Sequence, residues 1–134
     1  MPHPRAPIRT LLPFEPLYAP PDARLREVAV LLRDKDVGVL LVRDADGFGI
    51  LSERDVVCAL ADGADPDEVW AADVMTRDVL IAEPQAEIVY VGLSMVEANV
   101  RHVVLAEGTE AVGVVSLRDV AAALIHDALT RSSD

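Results

Sequence analysis

Gly49-Ile50-Leu51-Ser52-Glu53-Arg54-Asp55-Val56 returns as Gly113-Val114-Val115-Ser116-Leu117-Arg118-Asp119-Val120, an offset of 64 from Gly49 to Gly113. Each copy has its Gly on the turn side of an apolar strand and enters a helix at its Ser. Upstream, Pro21, Leu25, Leu32 and Val37 are answered by Pro84, Ile88, Met95 and Val100, at an offset of 63. The one-residue change is expected in a hairpin turn, where insertions cost least. A repeat of this length governs how the whole chain is read. The chain uses one α-β-β-α unit twice.

Working outward, Leu25, Val28, Ala29 and Leu32 fall at i, i+3, i+4 and i+7. This spacing predicts a helix over 23–34 with Asp22 as its N-cap. Residues 38–42 form a continuous apolar run, Asp44-Ala45-Asp46-Gly47 is a turn signal, and Phe48–Leu51 is a second run, together a β-hairpin. A helix follows to Ala61. The order then repeats: helix 86–98, strand 103–106, turn 107–110, strand 112–115 and a helix from Ser116 to Leu129. A unit of about 60 residues with one hairpin is marginal alone. The expected fold is therefore α/β, two α-β-β-α repeats burying their sheets against each other with pseudo-two-fold symmetry. The boundaries are a flexible N-terminal segment 1–10, repeat one 11–65, linker 66–78, repeat two 79–129 and a disordered C-terminus 130–134. Seven of the nine prolines lie in the first 21 residues, so 1–21 reads as extended, with little helix. Within it, Leu11-Leu12-Pro13-Phe14-Glu15-Pro16-Leu17-Tyr18 is apolar enough to pack. Trp70 in the linker is expected as a plug between the repeats.

Composition narrows the function. The 134 residues are 51% hydrophobic but only 4% aromatic, so the core is aliphatic. Acids outnumber bases 23 to 12, a net charge of -11. That argues against nucleic acid, whose binders need a basic footprint, and against an anionic membrane surface. No run approaches the roughly 18 apolar residues of a span, and Met1–Pro13 has no apolar signal-peptide stretch. A single cysteine, Cys58, excludes a disulfide framework and a multi-cysteine zinc site. The expectation is a cytoplasmic protein.

The Ser-x-Arg-Asp corner has two readings. Ser with Asp three residues on resembles a capping box, with the carboxylate favourable at the positive end of the helix dipole. The same geometry also offers free N–H groups and a positive dipole end to a phosphate, a Ser hydroxyl to donate, and an Arg to pair with it. A carboxylate one turn in accepts two hydroxyls, as a ribose diol presents. The doubling at matched positions favours a shared role.

With these residues in hand, the chain resembles a tandem pair of cystathionine-β-synthase (CBS) domains, a Bateman module, over about residues 8–128. Ala72-Asp73-Val74-Met75-Thr76 and Val100-Arg101-His102-Val103-Val104 carry the likeness along with the two quoted stretches. The resemblance implies a stand-alone regulatory module that senses AMP, ADP or ATP, or alternatively NAD or S-adenosylmethionine, in clefts between the repeats. It places the ribose on Asp55 and Asp119, and the phosphate on Ser52, Ser116 and Arg101; the residues themselves add Arg118 beside it and His102, which either touches phosphate or caps the strand entry. Adenine falls among Leu12, Ile50, Leu80, Ile81 and Val114, with Leu11 and Val79 alongside. No cofactor is required. Gly38 stands where repeat two has Arg101, so the two pockets are expected to be unequal. The acidic surface disfavours triphosphates without Mg²⁺.

Other candidates are plainer. His3, expected disordered, and His126, expected solvated, have no ligand spacing with His102. Cys58 is expected as a small core residue. Neither a catalytic constellation nor a metal site is visible. Helices 52–61 and 116–128 are apolar on more than one side, which points to a homodimer face. The alternative to a sensor that signals to a regulated protein is a ligand-free structural or dimerisation module.

Overall fold

The computed structural model describes residues 1–12 and 16–132. Its elements are a 3₁₀ turn Ile8–Leu11, β1 (Tyr18–Ala19), α1 (Leu25–Lys35), β2 (Val39–Asp44), β3 (Gly47–Ser52), α2 (Glu53–Ala61), α3 (Ala71–Val74), β4 (Leu80–Ala82), α4 (Ile88–Ala98), β5 (His102–Glu107), β6 (Glu110–Ser116) and α5 (Leu117–Ser132). They form two three-stranded sheets, β1-β2-β3 and β4-β5-β6, each with its first strand parallel and its hairpin antiparallel. Contacts divide the chain into two compact units. The first is Leu17–Val79; the second joins Met1–Pro16 to Leu80–Asp134. The fold is the α/β tandem-repeat architecture.

In the first unit α1 buries Leu25, Val28 and Leu32 against Leu40, Val42, Leu51 and Val56. In the second, α4 buries Ile88, Val91 and Met95 against Val103, Leu105, Val115 and Val120. Both helices end at a left-handed residue, Asp36 (φ 53°) and Asn99 (φ 56°). Those residue types tolerate that conformation because a short polar side chain bonds locally. The α1 helix begins two residues later than the spacing predicts. Its N-cap is Arg24, not Asp22, and Glu27 accepts from the Arg24 N–H.

The one-residue change between the repeats is not in the turn. Both turns hold two residues, between Asp44 and Gly47 and between Glu107 and Glu110. The extra residue lies in β6. Leu105 pairs with Gly113 and Ala106 with Ala111, which leaves Val112 as a bulge. A β-bulge absorbs one residue while keeping both flanks in register.

The N-terminal segment also departs from expectation. Residues 8–11 form a 3₁₀ turn within the segment expected to be extended. Ile8 is fully buried in the second unit's core, with Leu11 and Leu12 packed on the same cluster. Leu11 and Leu12, expected at the start of repeat one, thus serve the other unit. The backbone explains it: Ile8 N–H donates to Ala86 O (2.7 Å) and Ile88 N–H to Ala6 O (3.0 Å). Segment 69–76 makes the matching contacts in the first unit, Ala71 N–H to Ala23 O (2.8 Å) and Leu25 N–H to Val69 O (2.9 Å). His3, expected disordered, accepts from the Arg5 N–H through Nδ1 (3.1 Å). The proposed packing of Pro13, Phe14 and Glu15 lies outside the described residues.

Three further expectations change. Trp70 is not a plug: it is 45% exposed, with the Arg24 guanidinium 5.2 Å from its ring centroid. Cys58 is exposed on α2 rather than in the core, because Val56 takes the inward position. Helix α5 continues past Leu129 to Ser132, so the described part of segment 130–134 is helical; residues 133–134 lie outside the described residues.

Candidate functional site

Each repeat brings its polar corner together at one end of its sheet, where β2 or β5 begins and β3 or β6 ends. In the second unit His102 lies directly across from Ser116, and Leu117 N–H donates to Arg101 O (2.7 Å). Arg101, His102, Ser116, Arg118 and Asp119 are therefore neighbours. In the first unit Glu53 N–H donates to Gly38 O (3.0 Å), so Gly38 holds the place of Arg101 and brings no side chain.

Both corners are reciprocal caps, but they are unequally satisfied. Asp55 N–H donates to Ser52 Oγ (3.2 Å). The Asp55 carboxylate accepts from Ser52 N–H (2.8 Å), Ser52 Oγ (3.0 Å) and Thr76 Oγ1 (3.3 Å). Both of its oxygens are engaged. In repeat two Asp119 N–H donates to Ser116 Oγ (3.1 Å), yet among the described residues the Asp119 carboxylate receives only a long bond from Ser116 N–H (3.5 Å). Asp119 and Arg118 are exposed, and among the described residues no ion pair claims Arg101 or Arg118. Repeat two thus leaves a carboxylate, a hydroxyl and two guanidinium groups open at a helix start. In repeat one the chain's own donors fill the equivalent carboxylate.

The apolar candidates are sorted by strand alternation, since successive side chains face opposite ways. Ile81, Val104 and Val114 form one cross-strand row; Leu80, Val103 and Val115 form the next. Leu80 packs on the helix-side core, whereas Ile81 shares the face of Val114 and is 53% exposed. In the first unit the matching row is Tyr18, Leu41 and Ile50. Tyr18, not Leu12, is therefore the counterpart of Ile81, and the offset of 63 already in the sequence pointed to it. Leu12 instead covers Gly113, where a Cβ would sit 2.5 Å from Leu12 Cδ2. Its counterpart over Gly49 is the 75–76 segment, with Thr76 O 2.5 Å from that Cβ position. Thr76, quoted as part of a motif, was missed as a partner of Asp55 because 21 residues separate them.

Two hollows lie away from these corners. One, of about 170 Å³, is lined by Met1, Pro2, His3, His126, Asp127 and Thr130. The other, of about 360 Å³, is lined by Tyr18, Ala19, Pro20, Pro21 and Arg43. Among the described residues no group of three or more His, Cys, Asp or Glu could hold a metal ion. Nor is any described helix long and apolar enough to cross a membrane.

Comparison with known proteins adds the following. The chain matches the CBS domain family at residues 9–62 and again at 71–126. An uncharacterized protein of Methanopyrus kandleri is 31% identical over 98 residues, 70% of this chain and 50% of its own length. A protein encoded in a ribosomal RNA operon of Thermofilum pendens is 32% identical over 111 residues, 81% of this chain and 36% of its own. The chain spans at most about half the length of these curated relatives. Among solved structures, a CBS-domain containing protein from Agrobacterium tumefaciens superposes with a TM-score of 0.78 at 28% identity, covering 90% of this chain and 94% of that one. A CBS domain protein from Pyrobaculum aerophilum complexed with AMP superposes with a TM-score of 0.77 at 27% identity, covering 92% and 98%.

Proposed function

The chain belongs to the CBS domain family, with two copies of the domain in tandem, and on that premise we propose that it is a regulatory nucleotide sensor that takes an adenine nucleotide at the corner of repeat two. The observation that carries this reading is the open Asp119 carboxylate beside Ser116, Arg101 and Arg118. A ribose diol supplies the two donors that Asp119 lacks. A phosphate takes the Ser116 hydroxyl and the guanidinium of Arg101, with the helix start adding its partial positive charge. Val114 and Ile81 on one sheet face offer the apolar surface a purine ring requires. The AMP held by the Pyrobaculum protein supports the choice of ligand class. Repeat one is the weaker site, with Gly38 for Arg101 and an Asp55 already supplied with donors. Occupancy of the site is reported to a regulated partner protein.

Calorimetry with AMP, ADP and ATP on nucleotide-stripped protein tests the reading. At least one is expected to bind. Asp119→Ala is expected to weaken it by tenfold or more, and Asp55→Ala to change affinity little. Silence with all three nucleotides, or equal losses from the two substitutions, overturns it.

A second reading, pairing of two copies, rests on α4. That helix exposes Tyr90 (59%), Leu93 (54%) and Val96 (64%) along one side. Such a stripe on a small domain marks an interaction face. Sedimentation should show a dimer that Leu93→Asp converts to monomer. A wild-type monomer at all concentrations removes this reading and leaves the nucleotide site untouched.

A further inference from the structure

Arg43 and Tyr18 form a built contact in the first unit that the proposed nucleotide corner of repeat two does not use, although Tyr18 holds the place of Ile81 there. Arg43 Nη2 donates to the Tyr18 hydroxyl (2.8 Å), and the guanidinium carbon lies 5.0 Å from the Tyr18 ring centroid. Both line the 360 Å³ hollow with Ala19, Pro20 and Pro21. This place is remote from Ser52 and Asp55. Val39, at the start of β2, faces Ser52, while Arg43 lies four residues further on, opposite Phe48. At about 3.3 Å per residue that is about 13 Å along the strand.

Arg43, like Arg101 and Arg118, is claimed by no ion pair among the described residues; its contact with the Tyr18 ring and hydroxyl sets it apart. Acids outnumber bases 23 to 12, and Arg26, Arg33, Arg77 and Arg131 each pair with an aspartate. Among the described residues no carboxylate pairs with Arg43. Asp44, its neighbour, points to the other face of the strand and is held by Arg77. A guanidinium has five donors in a planar fork, and the Tyr18 hydroxyl accepts from one. The cation is thus held in place by an aromatic ring and left open to an anion. The opposite wall has different chemistry. Pro20 and Pro21 carry no backbone N–H, and the Ala19 methyl is turned into the core on the other face of β1. A ligand here finds one planar cation and otherwise apolar surface.

We propose that this hollow is a second ligand site, for a small aromatic or alicyclic carboxylate. The carboxylate pairs in plane with the Arg43 fork, and the ring rests on Pro20, Pro21 and the Tyr18 edge. A monoanion is favoured over a phosphate dianion by the acidic chain around it, with Asp22 following Pro21 and Asp46 in the adjoining turn. The hollow is shallow and largely open, so a bound ring keeps much of its surface in water and binding is weak. For a ligand of benzoate's size, affinity of about a millimolar is expected. The proposal uses no residue of the repeat-two corner and does not require a nucleotide there.

The test is a titration of ¹⁵N-labelled protein with sodium benzoate, followed by amide chemical shifts. Benzamide serves as the uncharged isostere and sodium chloride as the ionic-strength control. Saturable shifts centred on Ala19 and Arg43 are expected, absent with benzamide. They should be several-fold weaker in Arg43→Gln and intermediate in Arg43→Lys, which keeps the charge and loses the fork. Arg43 is exposed, so both variants are expected to keep the wild-type spectrum elsewhere. Non-saturable shifts, equal binding of benzamide, undiminished binding to Arg43→Gln, or shifts centred on Ser116 and Asp119 overturns the proposal.

Discussion

Asp55 and Asp119 occupy one place in the repeat, and the donors around them set what each does. Asp55 closes a cap and is tied to Thr76, so Asp55→Ala is expected to cost about 1–2 kcal/mol in urea denaturation. Asp119→Ala removes one long bond from an exposed group and is expected to cost about 0.5 kcal/mol or less. The two hairpin glycines divide in the same way. A Cβ at Gly49 meets the backbone oxygen of Thr76, which cannot move without breaking its bridge to Ile50. A Cβ at Gly113 meets the tip of Leu12, which can turn aside. Gly49→Ala is expected to lower stability by about 1–3 kcal/mol and Gly113→Ala by clearly less, measured in the same way. The Ser-x-Arg-Asp corner was legible in the sequence because capping is local. The inequality of the two corners was half legible: Gly38 showed in the alignment of the repeats, while Thr76 reaches Asp55 from a distant segment.

Among the elements, β6 carries the one irregularity that separates the hairpins. Side chains alternate with period two, so deleting Val112 would restore the register of the first hairpin only if every residue before the bulge kept its face. That residue count is compatible with both flanks, and ΔVal112 is expected to fold with its cap intact but without the packing of Val112 on the second core. Loss of cooperative unfolding would show that the bulge is required. The sequence placed this residue in the turn because an offset alone locates a slip only between its two anchors. The segment after α3 is clamped differently. Arg77 makes a two-point ion pair with Asp44, with Nη1 at 3.2 Å from Oδ1. Its guanidinium holds the Asp44 carboxyl below the usual carboxylate range. A depressed folded pKa gives stability that is present above the unfolded value, about 3.9, and is lost as pH falls through the folded one. Arg77→Gln is therefore expected to lower stability at neutral pH and to narrow its gap to wild type as pH falls into the acid range, followed by thermal melts across pH.

For the molecule as a whole, the sequence repeats and the compact units do not coincide. The family match begins at residues 9 and 71, whereas the first unit runs from Leu17 to Val79. Repetition was legible, and so were both hairpins and their helices, because period and turn chemistry are local properties. Which core a short lead-in joins depends on backbone bonds to a partner far along the chain, and those leave no periodic trace. Ile8 makes the point measurable. It is fully buried among Ile88, Val91 and Met95, so Ile8→Ala is expected to cost about 2–5 kcal/mol. Hydrogen exchange should speed up in α4, β5 and β6 and stay unchanged in α1, β2 and β3. This arrangement also bears on the order of events during synthesis. The first unit is continuous and complete once Val79 has emerged. Residues 1–12 precede that unit in the chain yet find their core only once residues 80–120 have been made. At about 5–20 residues per second, synthesis from Leu80 to Val120 takes on the order of 2–8 s. Throughout it, Ile8, Leu11 and Leu12 are an apolar stretch awaiting its partner, on a nascent chain whose first unit is already complete in sequence.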